Sequence, residues 1–223
     1  MNEGYSRCIR QWDKVFSRET GGVPTVPETG NGGFDEALKW LCLDSETVLD
    51  FGCGNATVLF ICALLGTKRH IGIDLCEKAI ENAKRRAVKM PVGTYEFFGG
   101  GVERLGEISA DSIDAVILSN IIDNLYPADA QKLAAECSRI LKPGGKALIK
   151  LNPHITGEQI RQWGLRVIEG DLLDDGLLLL NRTTEQWRAF FAEYFGIERY
   201  TEIWYPQHEQ TNRLFLVRKA GAC

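Results

Sequence analysis

The stretch VLDFGCGNA, residues 48–56, carries an apolar strand into an acidic residue and two glycines. Glycines between a parallel strand and the next helix let a ligand approach the backbone at the helix amino terminus. The dinucleotide pattern G-x-G-x-x-G is incomplete, because Thr57 stands at the third glycine position, and no phosphate loop ending in Lys-Ser or Lys-Thr follows. Asp50 would repel a pyrophosphate and attract an ammonium group. The stretch therefore predicts a ligand that carries a cationic amine.

Strand-like runs alternate with helix-like runs on both sides of this stretch, which is typical of repeated strand-helix-strand units and a parallel sheet. Near-continuous apolar strands of this kind are covered on both faces. Strands are expected at residues 47–51, 70–74, 94–98, 113–119 and 146–151, and helices at residues 56–65, 77–89 and 130–141.

The C-terminal part predicts a different ending for the sheet. Thr183 to Gln186 fits a helix capping box, and an aromatic stripe follows at helical spacing up to Phe195. Two strand-like runs, residues 197–205 and 212–219, are joined by a loop so short that only antiparallel pairing is open to them. The expected fold is α/β: a doubly wound, mostly parallel seven-stranded sheet that ends in a reversed antiparallel hairpin, with helices on both faces.

We expect a single domain over residues 1–223 with four parts. A lid helix and a mobile loop rich in Gly and Pro occupy residues 1–33, and the ligand-binding core follows at residues 34–151. Residues 152–183 are interpreted as an arm, a hairpin inserted at the mouth of the cleft. A C-terminal helix and hairpin complete the chain at residues 184–223.

Composition excludes several classes of function. The formal net charge of -4 makes nucleic acid an unlikely partner, and no run reaches the roughly 18 apolar residues of a membrane span. The seven cysteines are odd in number and form no C-x-x-C pair, so we expect reduced core residues rather than a metal site or disulfide scaffold. The N-terminus lacks the apolar stretch of a signal peptide. These features predict a cytoplasmic protein without a metal or membrane association, and they favour no particular oligomeric state.

Asp74 ends the second predicted strand, where a carboxylate accepts two hydrogen bonds from ribose hydroxyls. Together with Asp50 it predicts a nucleoside that bears an amino acid.

At this point the chain resembles the class I S-adenosylmethionine-dependent methyltransferases. VLDFGCGNA is similar to the family's first motif, and the further segments follow in order with workable spacing. They are IGIDLCEKAI (71–80), GGGVERL (99–105), DAVILSNIIDNL (114–125) and LKPGGKALI (141–149). The resemblance implies that the cofactor is S-adenosylmethionine (SAM), that the product is S-adenosylhomocysteine (SAH), and that the methyl group moves by direct in-line displacement.

The resemblance also implies roles for particular residues. Asp50, Gly52, Cys53 and Gly54 would hold the methionine end, Asp74 the ribose and Leu75 the adenine face. Gly101, Val102 and Glu103 would edge the adenine, with Gly101 standing where an Asp often binds its amino group, and Ser119 and Asn120 would lie beside the amino acid moiety. Ala56 replaces a common third glycine, at little cost if its backbone is helical. The alternative for each acid is a strand-end or capping residue.

The remaining candidates follow strands four and five, where ligands of open parallel sheets bind. His154 is the preferred general base and Asp123 a second catalytic candidate, with an ordinary loop residue and a turn cap as the respective alternatives. The residues expected to contact the acceptor or belong to the lid are Tyr5, Trp12, Asn124, Tyr126 and Asn152.

The predicted acceptor is a small molecule. SNII (119–122) is not the [DNS]-P-P-aromatic tetrad of methyltransferases that act on amino groups of nucleic acids and glutamine. The alternatives that stay open are a protein or RNA methyltransferase, a catalytically inert SAM-binding module and, remotely, an NAD(P)-dependent oxidoreductase.

Overall fold

The computed structural model describes residues 3–17 and 22–220. Five strands pair in parallel at the centre of the fold, in the spatial order β3-β2-β1-β4-β5. They are β1 (Thr47–Phe51), β2 (Arg69–Asp74), β3 (Thr94–Gly99), β4 (Ile113–Ser119) and β5 (Leu141–Leu151). All five predicted strands are confirmed. β5 begins five residues early, because Leu141 already pairs with Ile113 across an irregular register.

The hairpin at the end of the sheet is confirmed as well. β9 (Gly196–Tyr205) and β10 (Gln210–Arg218) pair antiparallel, and β10 lies between β9 and β5 and runs antiparallel to both. The seven-stranded order is therefore β3-β2-β1-β4-β5-β10-β9.

Helices cover both faces of the sheet, as a doubly wound fold requires. The helices α2 (Gly32–Cys42), α3 (Thr57–Leu64) and α4 (Glu77–Ala87) pack on one face. The helices α5 (Pro127–Ile140) and α7 (Thr184–Ala192) pack on the other. Alternate residues of β1 serve the two cores: Val48 contributes to the first and Leu49 to the second. The capping box at Thr183 is present, but α7 ends before Phe195, which is buried beyond the helix.

The arm differs from the predicted hairpin. It contains a short helix, α6 (Gly157–Trp163), and three antiparallel strands, β6 (Arg166–Glu169), β7 (Leu172–Asp174) and β8 (Leu178–Leu180). Two left-handed turn residues, Gly170 at φ 52° and Gly176 at φ 78°, reverse the chain twice. The prediction of one hairpin was wrong because it counted a single reversal in this segment.

The N-terminal helix α1 (Glu3–Phe16) lies across the structure between the arm and α4. Arg7 near its start pairs with Asp174 of the arm at 2.9 Å, and Asp13 near its end accepts a 3.0 Å hydrogen bond from the Cys76 thiol. Part of the loop predicted to be mobile, residues 18–21, lies outside the described residues, as does Cys223. The other six cysteines are free thiols. Within the described chain, no helix is both long and apolar enough to cross a membrane.

Candidate functional site

The carboxyl ends of β1, β2, β4 and β5 meet at one edge of the sheet, because these strands are parallel neighbours. This edge gathers most of the residues that the sequence singles out. A separate concave surface, lined by Trp40, Asp114 and Lys142 among others, lies at the amino ends of β4 and β5 and contains none of them.

The turn after β1 is held by backbone hydrogen bonds to the end of β2. The N–H groups of Gly52 and Cys53 donate to the Ile73 carbonyl at 2.8 and 3.1 Å. Gly52 has φ +77°, and a Cβ there would lie 2.8 Å from the Ile121 side chain. Gly54 has φ +53°, and a Cβ added there would lie 3.0 Å from the Phe16 ring. Both positions therefore need glycine, and the turn exposes its backbone to the cleft edge.

Ala56 departs from the expectation of a helical backbone. It precedes α3 in the left-handed conformation, with φ 64° and ψ 20°, and it is fully buried. This conformation costs a residue with a Cβ roughly 1–2 kcal/mol. The common third glycine would therefore be the unstrained residue at this position.

Asp50 is a buried carboxylate without a full set of partners. Its side chain is 2% exposed, and its Oδ1 atom has no hydrogen-bond partner among the described residues. Burial and the nearby Asp74 charge raise the pKa of Asp50 to about 8, against the opposing charge of Lys150. A buried carboxylate that lacks a hydrogen-bond partner is stabilised most by a hydrogen bond from a cationic donor. The residues present thus fit a ligand with an ammonium group.

Asp74 connects β2 to the turn after β1. Its Oδ2 accepts from the Gly54 N–H and its Oδ1 from the Cys76 N–H, both at 2.8 Å. Burial raises its pKa, while these two hydrogen bonds act in the opposite direction. Each carboxylate oxygen keeps a further lone pair for a ligand hydroxyl. Leu75 follows at the surface, 36% exposed.

The segment predicted to edge the adenine forms a turn capped by its own glutamate. Glu103 Oε1 accepts a 2.7 Å hydrogen bond from the Gly101 N–H, and this bond is the main cause of its lowered pKa. Val102 is buried. The capping alternative for Glu103 is thus present in the structure, and its contact with adenine stays a prediction.

Three asparagines form a hydrogen-bonded chain at the ends of β4, β5 and β10. Asn120, at φ 55°, donates from Nδ2 to Asn152 Oδ1 at 3.0 Å and accepts from Asn212 Nδ2 at 3.3 Å. Ser119 lies half-buried beside them. Asn212 was missed by the sequence analysis, although a polar residue that opens an apolar strand is a usable signal.

Asp123 is fully buried beneath this chain. Its Oδ2 accepts from the backbone N–H of Asn152 at 2.6 Å and from Asn152 Nδ2 at 3.1 Å, while Oδ1 has no partner among the described residues. Burial raises the pKa of Asp123 to about 6, and the Asn152 hydrogen bond and Arg213 oppose the rise. Asn124 extends the network, because it accepts from Asn152 and donates to the Leu178 carbonyl of the arm at 2.6 Å.

His154 lies on the exposed loop after β5. Partial desolvation and the Arg213 charge lower its pKa, and Asp171 opposes them. The structure therefore surrounds His154 with charges of the arm and β10 rather than with Asp50 or Asp74, and its role as a base stays a prediction.

Two of the residues predicted to contact the acceptor or belong to the lid, Tyr5 and Trp12, lie on α1. Tyr5 lies edge-on to Tyr126, with ring centroids 5.2 Å apart, and its hydroxyl donates to Asp129 at 2.5 Å. Trp12 is 44% exposed and stacks on Phe16, whose ring covers Gly54. Helix α1 therefore lies over the turn that the first motif forms.

Lys150, near the end of β5, was not singled out by the sequence analysis. Its Nζ atom lies 4.9 Å from the ring centroids of both Phe34 and Tyr205. Burial lowers its pKa to about 8, against the charges of Asp123 and Asp50. A single lysine in an apolar strand gives no local signal, because its partners come from α2 and β9.

Comparison with known proteins gives the same fold and the same core. The family model "Methyltransferase domain" matches residues 49–149. The chain is 32% identical over 114 residues to a ribosomal protein L11 methyltransferase of Pseudomonas fluorescens (strain SBW25). This match covers 49% of this chain and 36% of that protein. It is also 31% identical over 144 residues to the arsenite methyltransferase of Mus musculus. That match covers 60% of this chain and 34% of the mouse protein. The chain thus spans about a third of the length of these curated relatives.

Among solved structures, the fold is shared with a 1,6-didemethyltoxoflavin-N1-methyltransferase of Burkholderia thailandensis, crystallised with 1,6-didemethyltoxoflavin and S-adenosylhomocysteine. The TM-score is 0.69 at 14% identity, and the match covers 99% of this chain and 92% of the other.

Proposed function

Because the chain belongs to the class I S-adenosylmethionine-dependent methyltransferases, we propose that it transfers the methyl group of SAM to a small-molecule acceptor. One observation carries the proposal: Oδ1 of buried Asp50 has no hydrogen-bond partner among the described residues, and it lies next to a turn that needs glycine at residues 52 and 54. SAM, when bound, supplies a methyl group already activated by its sulfonium.

The chain's own residues then have three tasks. Asp50 and the backbone from Gly52 to Gly54 would bind the methionine end, and Cys53 shapes this turn by packing against β2 beside Gly72. Asp74 would hold the ribose with Leu75 on the adenine, and Gly101, Val102 and Glu103 would edge the adenine. Ser119 and Asn120 would orient the amino acid moiety. This division leaves the segment after Asn120 and the end of β5 for the acceptor.

Enclosure of this edge supports a small acceptor. Helix α1 contacts α4 through the 2.6 Å hydrogen bond from Asn82 Nδ2 to the Phe16 carbonyl, and the arm through Arg7 and Asp174. A helix held at both ends above the cleft restricts access to it, which favours a small acceptor over a macromolecular surface. The net charge of -4 gives no general attraction for RNA. The likeness to a methyltransferase crystallised with a small acceptor extends over 99% of the chain, so it includes α1 and the arm as well as the core.

Proton removal is needed only for an acceptor that arrives protonated. Of the two titratable candidates, His154 is exposed and accessible from solution, whereas Asp123 is fully buried and bonded to Asn152. We therefore assign any base function to His154 and a positioning function to Asp123, which would hold Asn152, and through it Asn124, beside the acceptor. Tyr126, packed against Tyr5 of α1, would contact the acceptor as well.

The experiment follows tritium from methyl-labelled SAM after incubation of the purified chain with a cell extract. The expected result is a labelled small molecule that separates chromatographically from SAM and that is not formed with Asp50→Asn. Label in protein or RNA would show that one of these macromolecules, and not a small molecule, is the methyl acceptor. Binding of SAM without transfer to any fraction would indicate an inert binding module. A His154→Asn variant that keeps the wild-type pH profile would remove His154 as the base.

A further inference from the structure

Lys150 lies at the cleft edge, where the acceptor is proposed to bind. It is directly opposite Ser119 of β4 in the sheet register and two residues before Asn152. Its charge interacts with those of Asp123 and Asp50. The lysine thus stands between the expected methionine site and the network at the end of β5.

A second lysine on the same strand shows what is unusual about Lys150. Lys146 is four residues earlier and therefore on the same face of β5. Its Nζ lies 5.6 Å from the Trp40 ring centroid and donates to two backbone carbonyls, those of Trp40 and Leu43. The protein itself supplies the partners of Lys146.

Lys150 has the aromatic neighbours without the carbonyls. Its ammonium group faces the Phe34 and Tyr205 rings, and its one hydrogen bond among the described residues is a long one of 3.5 Å to the Tyr205 hydroxyl. An ammonium group carries three donors. Within the described chain it forms no ion pair, so neither Asp50 nor Asp123 neutralises it by direct contact.

A largely desolvated ammonium with unused donors is stabilised most by an anionic oxygen. The aromatic faces attract the cation but accept no strong hydrogen bond. Asp50 on β1, Asp123 after β4 and Phe34 of α2 bring no positive charge to this part of the cleft. Lys150 is therefore a point in the cleft at which an anion gains energy.

We infer that Lys150 binds an anionic oxygen of the methyl acceptor, such as a carboxylate or an ionised hydroxyl. The inference rests on the proposed function for the identity of the ligand as an acceptor. It narrows the acceptor to anions and places the anionic group beside Ser119, at the end of β5.

The test uses nuclear magnetic resonance of the full chain with 13C at lysine Cε, saturated with SAH. Lys150→Arg and Lys146→Arg assign the two signals. Acetate and benzoate are the probes, and acetamide and benzamide are their uncharged counterparts. We expect benzoate to shift the Lys150 signal in a saturable manner and raise its pKa, while the amides leave it unchanged and Lys146 does not respond. Benzoate affinity should fall at least tenfold in Lys150→Met and stay unchanged in Lys146→Met.

Three results would overturn the anion site: no response of Lys150 to either carboxylate, an equal response to the amides, or unchanged benzoate affinity in Lys150→Met. If the first of these results comes with titration of Lys150 near neutrality, the amine is assigned to proton transfer instead. Calorimetry with SAH separates the two proposals. Failure of SAH to bind contradicts the proposed function and the identity of the anion as an acceptor. SAH binding without a carboxylate response contradicts the anion site alone.

Discussion

The carboxylate of Asp74 accepts a 2.8 Å hydrogen bond from the backbone N–H of Gly54, so the end of β2 directly holds the turn that follows β1. Its other oxygen accepts from the Cys76 N–H at the start of α4. One side chain thereby fixes two segments of the proposed cofactor site and retains lone pairs for the ribose.

Replacing Asp74 by Ala should weaken SAH binding by about 1–3 kcal/mol, because the ribose loses charge-assisted hydrogen bonds and the Gly54 turn loses its acceptor. Calorimetric titration with SAH measures the change. Glu81→Ala is the matched control, since it removes a carboxylate from an exposed ion pair with Lys78 and should leave SAH affinity unchanged. Wild-type affinity in Asp74→Ala would exclude the ribose assignment.

Asp50 should make the fold less stable as pH rises. Its pKa is raised from 3.8 to about 8, so the folded chain retains a proton that the unfolded chain releases, and the free energy of unfolding falls between these pH values. Asp50→Asn cannot ionise and should be more stable than the wild type by ~1–3 kcal/mol at pH 8, with the gain shrinking toward pH 4.

Urea denaturation across this pH range measures the effect. Glu81→Gln is the control, because the hydrogen bond from Lys78 lowers the pKa of Glu81 and its removal alters the pH dependence only toward pH 4. The same Asp50→Asn protein should bind SAM more weakly. A variant whose stability follows the wild type at every pH would show that Asp50 is not the buried acid described here.

Ala56→Gly should stabilise the fold by up to ~1 kcal/mol, because glycine adopts the left-handed conformation without strain. The greater conformational entropy of glycine in the unfolded chain offsets part of this gain. Ala63→Gly removes the same methyl group from the helical part of α3 and should destabilise the protein. Urea denaturation of the pair gives opposite signs if the Ala56 conformation is strained. Loss of stability in both variants would contradict the left-handed assignment.

Asp123→Ala should lower the free energy of unfolding by about 2–4 kcal/mol, since it leaves the Asn152 N–H without its acceptor and removes the carboxylate near Arg213. Asp123→Asn keeps one oxygen for this bond and should be the milder change. Thermal and urea unfolding report the two effects. An unaltered stability in Asp123→Ala, combined with lost methyl transfer, would replace the positioning role by a catalytic one.

The sequence predicted where the candidate residues lie when its signal is local. Asp50 and Asp74 lie near the carboxyl ends of the apolar strands β1 and β2, and Gly52 and Gly54 follow β1. Parallel strands bring such ends to one edge of the sheet whatever the rest of the chain does. The hairpin was equally predictable, because its short loop leaves one way of pairing.

The parts that sequence reasoning missed depend on contacts between distant segments. Lys150 meets Phe34 and Tyr205 only after α2 packs on the sheet and β9 adds to its edge. Phe16 reaches Gly54 only through the docking of α1. The left-handed backbone of Ala56 was not predicted either. Alanine is a strong helix former, so the sequence favoured a helical backbone at this position.

Calorimetric titration of the wild type and Asp50→Asn with SAM, SAH and NAD identifies the ligand of the turn after β1. We expect micromolar binding of SAM and SAH to the wild type, weaker binding to Asp50→Asn, and no binding of NAD. Binding of NAD alone, or equal SAM affinity in the two proteins, would contradict the assignment of the turn after β1 to the amino acid end of SAM.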